Sequence, residues 1–183
     1  EMPRKWIKLK SKGDGDKTDQ IEQLEACMKA MGIQESFRRI AEQDGFFGRS
    51  HIYIDIDKSR DDRPELLTPI GDGRNDISKA KVKKGTPLRL RNVEPIWCYP
   101  SVYNATDPLA PEWYNPEMWF CMGKELHRSR LLTFVGREVP DLLKPAYSFG
   151  GLSLSQIAKP YVDNWLRTRQ SVADIVHAFS VMV

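Results

Sequence analysis

Little in this sequence points to a membrane, a secretion route or a metal. The longest apolar runs are only a few residues, too short for a helix that crosses a bilayer. The first residues, Glu1-Met2-Pro3-Arg4-Lys5-Trp6, are charged from the outset and form no signal region. Cysteine is scarce. Cys27, Cys98 and Cys121 stand far apart, odd in number and without a C-x-x-C, which argues against a disulfide framework or a zinc knuckle. Reduced cysteines in or near a core, in a protein of cytoplasmic origin, are the expectation. Of the histidines His51, His127 and His177, no two stand at metal-ligand spacing. The net charge is only +3, which does not mark the whole chain as a nucleic-acid binder.

What is present suffices for one soluble domain. The 183 residues are 40% hydrophobic and 29% charged, enough for a core of their own or for a domain with an appended helix. There is no internal repeat and no low-complexity tract. Trp6 to Lys10 alternates and reads as a short strand, followed by a polar loop to Lys17. Thr18 or Asp19 caps a first helix whose apolar face carries Ile21, Leu24, Cys27, Met28 and Met31, with Gly32 as its stop. A second helix is expected from about Gln34 to Asp44. The run from His51 to Asp57 has period two, which predicts a strand with Ile52, Ile54 and Ile56 buried and Tyr53, Asp55 and Asp57 turned outward. Ser59 to Ile77 reads as a long loop.

Pro87 to Val93 alternates again and predicts a strand. Pro95 to Pro116 holds five prolines among many aromatics and reads as an irregular segment packed by rings. Met118 to Met122 and Arg130 to Val135 read as two strands around a Gly123-Lys124 turn, followed by an extended piece to Gly151. Ser153 then caps a long helix, with Leu154, Ile157, Tyr161, Trp165, Val172, Ile175, Val176 and Phe179 at helical spacing. Pro160 should kink or restart it. The apolar pattern runs on to Val183, and together with a first residue other than Met this predicts a piece of a longer chain.

Candidate chemistry is sparse. His127-Arg128-Ser129 has the H-x-S form of two-histidine phosphoesterases, in which two imidazoles act as acid and base across one phosphate. The other histidines sit in His51-Ile52-Tyr53 and His177-Ala178-Phe179, without the hydroxyl, so the second motif is missing. Asp55 and Asp57 form a D-x-D that could hold Mg²⁺, yet no phosphate-cradling loop accompanies it, and a polar outer strand face explains it as well. Between Ile77 and Val93 stand Lys79, Lys81, Lys83, Lys84, Arg89 and Arg91 with no acidic residue. This stretch is the candidate contact for DNA or for an acidic partner, against the plainer reading of a solvated loop. The terminal apolar positions Trp165, Val172, Ile175, Val176 and Phe179 are the candidate subunit interface, against burial on the chain's own core. No residue is assigned a catalytic, cofactor-binding or metal-binding role.

Several blocks carry a resemblance that runs along most of the chain. They are Arg4-Lys5-Trp6-Ile7, Asp44-Gly45-Phe46-Phe47-Gly48, Pro95-Ile96-Trp97-Cys98-Tyr99-Pro100, His127-Arg128-Ser129-Arg130-Leu131-Leu132, Phe134-Val135-Gly136-Arg137-Glu138-Val139-Pro140-Asp141, Phe149-Gly150-Gly151-Leu152-Ser153 and Lys159-Pro160-Tyr161-Val162-Asp163-Asn164-Trp165. In these blocks the chain resembles a bacteriophage portal protein family, a domain formerly of unknown function that also carries an anti-CBASS nuclease name. The family pattern has a second glycine after Gly48, where this chain has Arg49.

The resemblance implies an α+β, portal wing-like domain with N-terminal helices, a mixed sheet with long loops, and a long C-terminal helix leading toward a stem. The implied organisation is an extended segment 1–17, a wing-like domain 18–151 and a helix 152–183 leading to a stem that is absent from this chain. It also implies a structural role without catalysis or cofactor, in a homo-oligomeric, dodecameric ring at one capsid vertex. Terminase, capsid and head-tail connector proteins bind such a ring. Double-stranded DNA passes through its channel without sequence readout. The implied location is the virion, and the bacterial host cytoplasm during assembly, with no membrane partner. Two alternatives stand beside this reading: a cyclic-nucleotide phosphodiesterase that counters host defence signalling, and a generic head-tail adaptor.

Overall fold

In a computed structural model the protein is described at residues 7, 9, 18–56, 64–71, 80–81 and 85–181. The expected segment 1–17 therefore lies almost wholly outside the described residues, as do Asp57, Lys79, Lys83 and Lys84.

Two helices open the described chain, α1 (Thr18–Ala30) and α2 (Ile33–Phe47). Gly32 separates them in the left-handed region, at φ 63°. The second helix runs past the expected end at Asp44 and stops at Gly48, also left-handed at φ 72°. Gly45 stays helical, and the Leu154 side chain lies 3.6 Å from where its Cβ would be.

The central strand is β1 (Ser50–Ile56). The described chain continues through a 3₁₀ turn at Pro64–Leu67, where Leu66 is buried, into β2 (Ile70–Gly71), which pairs in parallel with β3 (Ala80–Lys81). The expected loop from Ser59 to Ile77 thus contains ordered structure. Next come β4 (Leu88–Val93) and β5 (Cys98–Val102). The latter corrects the reading of Pro95–Pro116 as wholly irregular. Pro100 is tolerated because β5 is an edge strand, and the register shifts between Pro100 and Val102.

Two strands follow as a hairpin, β6 (Met118–Cys121) and β7 (Lys124–His127), then β8 (Leu131–Phe134). The sequence reading missed β7, whose Lys-Glu-Leu-His composition shows one apolar residue. The turn sits at Met122 and Gly123 rather than at Gly123-Lys124, and both residues have positive φ, 45° and 87°. That is the pattern of a two-residue turn matched to strand twist.

The strands form two antiparallel three-stranded sheets, β4-β1-β8 and β5-β6-β7, beside the short β2-β3 ladder, where the sequence suggested one mixed sheet. The fold is α+β, closing with α3 (Leu154–Val181). Ser153 caps α3 as expected. Its Oγ accepts from the Gln156 N–H at 3.1 Å, and its own N–H donates to Gln156 Oε1 at 3.2 Å. The helix neither stops nor restarts at Pro160.

β1 is covered on both faces. Ile52 is fully buried on the face that also carries Phe134, which meets Phe37 of α2 edge-to-face at 5.8 Å. Ile54 and Ile56 are half-buried. The opposite face was expected to be solvated, and the structure corrects that. His51 is fully buried and Asp55 nearly so. This face packs toward the second sheet, where Cys98, Trp119, Leu131 and Phe149 form the core cluster, with Tyr53, Val93, Tyr114 and Cys121 against it. A period-two pattern reports alternation, but not what the other sheet brings to the polar side.

Candidate functional site

The exposed terminal helix is the candidate site. Its 28 residues span about 42 Å at 1.5 Å per residue, and none is buried. Trp165, Val172, Ile175, Val176 and Phe179 share one helical face and are between 55% and 68% exposed. The described residues of this chain therefore do not cover the stripe. The Arg169 guanidinium lies over the Trp165 ring at 5.4 Å, which covers part of one face of the indole.

Among the described residues α3 is fixed at its base, and the sequence blocks explain how. The end of α2, the chain after β8 and the entry to α3 meet at one junction. The Gly151 N–H donates to the Gly48 carbonyl at 2.8 Å, and the Leu152 N–H to the Arg137 carbonyl at 2.9 Å. Arg137 forms an ion pair with Asp44 at 2.7 Å and donates through Nε to the Leu152 carbonyl at 2.7 Å. The other Asp44 oxygen accepts from the Gly136 N–H at 3.0 Å. The blocks at Asp44–Gly48, Phe134–Asp141 and Phe149–Ser153 are thus one clamp, distant in sequence and joined in space.

Arg49, which departs from the family's glycine pattern, is buried beside this clamp. It donates to the carbonyls of Pro95 at 2.7 Å and Cys98 at 2.9 Å, and also to that of Ser148. It stacks 5.4 Å above the Trp119 ring. Burial holds its pKa below the ordinary arginine value, and nearby Cys98, Cys121 and Tyr99 oppose that. His51 lies in the same core. Its Nδ1 meets Thr133 Oγ1 at 3.1 Å, while its buried Nε2 has no partner among the described residues. Burial, then the Arg49 charge, pushes His51 down to about 3, so the ring is neutral. In the sequence Arg49 stands out only as a departure from the family's second glycine, with no sign of this buried role.

The H-x-S segment has a structural explanation. His127 Nδ1 accepts from the Ser129 N–H at 3.1 Å and meets Ser129 Oγ at 2.8 Å. Ser129 Oγ also accepts from the Ile70 N–H at 2.8 Å, and Arg130 Nε donates to the Thr68 carbonyl at 3.1 Å. The motif thus turns the chain into β8 and ties down residues 68–70. His127 is held below its usual pKa, by burial first, with Arg128 and Arg130 adding to it and Glu117 opposing. A groove of about 1000 Å³ runs along β8, walled by α2 residues and by Trp113, Tyr114, Trp119 and Phe149. Arg128 lines it, but His127 and Ser129 do not.

Of the basic candidates, Arg89 and Arg91 are exposed on β4. Arg91 is already engaged, in an ion pair with the buried Asp55 at 2.9 Å. That pair also corrects the reading of Asp55 as an outward-facing carboxylate. Lys81 belongs to β3, and Lys79, Lys83 and Lys84 lie outside the described residues. Among the described residues no group of three or more His, Cys, Asp or Glu side chains could hold a metal ion, and no helix is long and apolar enough to cross a membrane.

None of the curated proteins matches the chain. The family model described as phage portal protein matches residues 1–183, the whole length, and the chain belongs to that family of structural virion proteins.

Proposed function

We propose that this chain is one subunit of the portal ring at a capsid vertex, the ring through which double-stranded DNA is packaged and ejected. Family membership gives it a portal-related structural role. The observation that carries the finer reading is the uncovered apolar stripe of α3, held out from the domain by a clamp at its base. A closed ring is a heterologous assembly, so each subunit needs faces completed by its neighbours, and a long exposed apolar helix is such a face. In this reading residues 18–151 are a wing-like domain, residues 152–183 lead into a stem, and terminase, capsid and connector proteins dock on the completed ring. The ring is dodecameric, assembles in the bacterial cytoplasm and stays in the virion. In this reading the subunit's role is structural rather than catalytic, and His127 and Ser129 serve to shape the turn into β8. DNA passing through such a channel meets sequence-blind contacts to phosphate, for which Lys79, Lys81, Lys83, Lys84 and Arg89 are suited.

Native mass spectrometry and electron microscopy of the chain at high concentration test this reading. Rings of twelve subunits that disappear when Trp165 and Phe179 are replaced by serine support it. A chain that stays monomeric at every concentration, and that hydrolyses cyclic dinucleotides in a His127-dependent manner, overturns it in favour of the phosphodiesterase.

A further inference from the structure

Cys98 and Cys121 are far apart in sequence but directly opposite each other on β5 and β6. The Met122 N–H donates to the Trp97 carbonyl at 3.3 Å, so the neighbouring pair Trp97–Met122 occupies a hydrogen-bonding position of the ladder. Antiparallel pairs alternate, which makes Cys98–Cys121 the non-hydrogen-bonded pair, with Cα atoms about 4.5 Å apart. That falls within the ~4.4–6.8 Å that a disulfide spans. The two sulfurs are in contact at 2.7 Å, and both cysteines are free thiols. Cys98 is fully buried and Cys121 half-buried, so Cys121 is the more exposed residue of the pair.

The surroundings favour one thiolate. The hydrogen bond from Cys121 holds the Cys98 thiol below its ordinary pKa; burial opposes this and the Arg49 charge assists it. The same hydrogen bond, followed by burial and the Cys98 charge, pushes Cys121 up. The pair thus favours one thiolate and disfavours a second until a sulfur is capped. A thiolate beside a cation is the reactive form of cysteine.

We propose that Cys98 and Cys121 form a latent disulfide, open under reducing conditions and closed by a low-molecular-weight disulfide as oxidant. The pair's thiolate, its charge carried to Cys121 by proton transfer along the S–H···S contact, attacks one sulfur of the oxidant. A mixed disulfide forms at Cys121 and one small thiolate leaves. Cys98, losing its proton, then attacks the Cys121 sulfur and displaces the second small thiolate. Two protein thiols and one small disulfide become one protein disulfide and two small thiols. Two electrons pass to the oxidant's sulfurs, and the two protons end on the released thiols. The closed bond staples β5 to β6 across the proline-rich loop between them. Its timing rests on the portal reading: open in the host cytoplasm, closed in released particles. The chemistry of the pair does not depend on that reading.

Thiol counting tests both parts. The reduced full chain is exposed to glutathione disulfide, quenched in acid, unfolded, alkylated and mapped by peptide mass spectrometry. The expected result is a peptide pair linked through Cys98 and Cys121, restored to two alkylated thiols by dithiothreitol, and a stable mixed disulfide at Cys121 when Cys98→Ser is treated likewise. Full alkylation of both Cys98 and Cys121, in molecules whose exposed Cys27 has taken up glutathione, overturns the proposal. Thiol mapping of phage particles against infected-cell lysate reads the timing. A linked pair in particles alone supports it, and equal thiol content in both overturns the timing while leaving the pair's chemistry to the first experiment.

Discussion

A Cβ placed on Gly48 would lie 2.0 Å from the Gly151 carbonyl oxygen, and one placed on Gly151 would lie 1.9 Å from the Arg137 carbonyl oxygen. Both clashes are with backbone, which cannot swing aside as a side chain does. Gly48 also holds φ at 72°, where any other residue is strained. Gly151→Ala should therefore destabilise the fold by at least about 3 kcal/mol, because the clamp at the base of α3 must open. Gly123→Ala, with nothing within 4 Å of the added Cβ, should cost only about 1 kcal/mol, from its left-handed turn conformation. Chemical denaturation of the two variants checks the contrast, and equal midpoints would show that the junction is not close-packed.

The clamp also shows what the sequence could and could not disclose. Helix α1, the capping box at Ser153 and the apolar face of α3 follow from local chemistry, and all were readable. Asp44, Gly136, Arg137 and Gly151 stood out only as members of resembling blocks, because their contacts join residues about 15 to 103 positions apart. The β7 strand was hidden because its pairing with β6 is fixed by a turn, not by apolar alternation. The burial of Asp55, expected to face outward, was not legible, since alternation along one strand carries no information about the second sheet. The Cys98–Cys121 contact was invisible for the same reason: it depends on the register of two strands.

The neutral His51 predicts how stability depends on pH. In the unfolded chain its pKa is near 6.5, and in the folded chain about 3. Between those values the unfolded chain binds a proton that the folded chain excludes. The contribution of His51 is thus complete above about pH 6.5 and is lost as the pH falls toward 3, by up to about 1.4 kcal/mol per pH unit. His51→Gln removes the titration and keeps a hydrogen-bonding group for Thr133. Its stability relative to the wild type should rise by up to roughly 3 kcal/mol between pH 6.5 and 4. Parallel denaturation curves over that range check it, and a constant difference would mean that His51 is protonated in the folded state.

The basic stretch makes a prediction that separates its members. Arg91 is paired with Asp55, whereas Lys79, Lys81, Lys83 and Lys84 lie in a run without acidic residues. Neutral substitution of a lysine that touches DNA should flatten the log–log salt dependence of duplex binding by about 0.9 for each phosphate left without its cation. Arg91→Gln should leave that slope unchanged and instead lower stability, since it removes the 2.9 Å ion pair with the buried Asp55 carboxylate. Binding measured at several salt concentrations distinguishes the two effects. Unaltered slopes in all the lysine variants would reduce the stretch to a solvated loop.

The apolar stripe of α3 separates folding from assembly most directly. Trp165 is 59% exposed and Phe179 is 68% exposed, and the Trp165 ring is met by Arg169 of its own helix. Removing side chains that the fold does not bury should change the denaturation midpoint of the isolated chain very little, within about 0.5 kcal/mol. The same residues, if covered by neighbouring subunits, become anchors of an interface, where truncating a large aromatic costs about 2 kcal/mol or more at each copy. A closed ring repeats that deficit at every junction, so a modest defect per interface becomes a large one in assembled particles. Trp165→Ser combined with Phe179→Ser should therefore leave a folded, soluble chain that no longer forms rings. Replacing Ser171, elsewhere on the same helix, by Ala should affect neither property. Denaturation and native mass spectrometry on the same samples check the pair of outcomes. A double variant that unfolds would mean the stripe belongs to the domain's own core, and one that still assembles would mean that the ring contacts lie elsewhere.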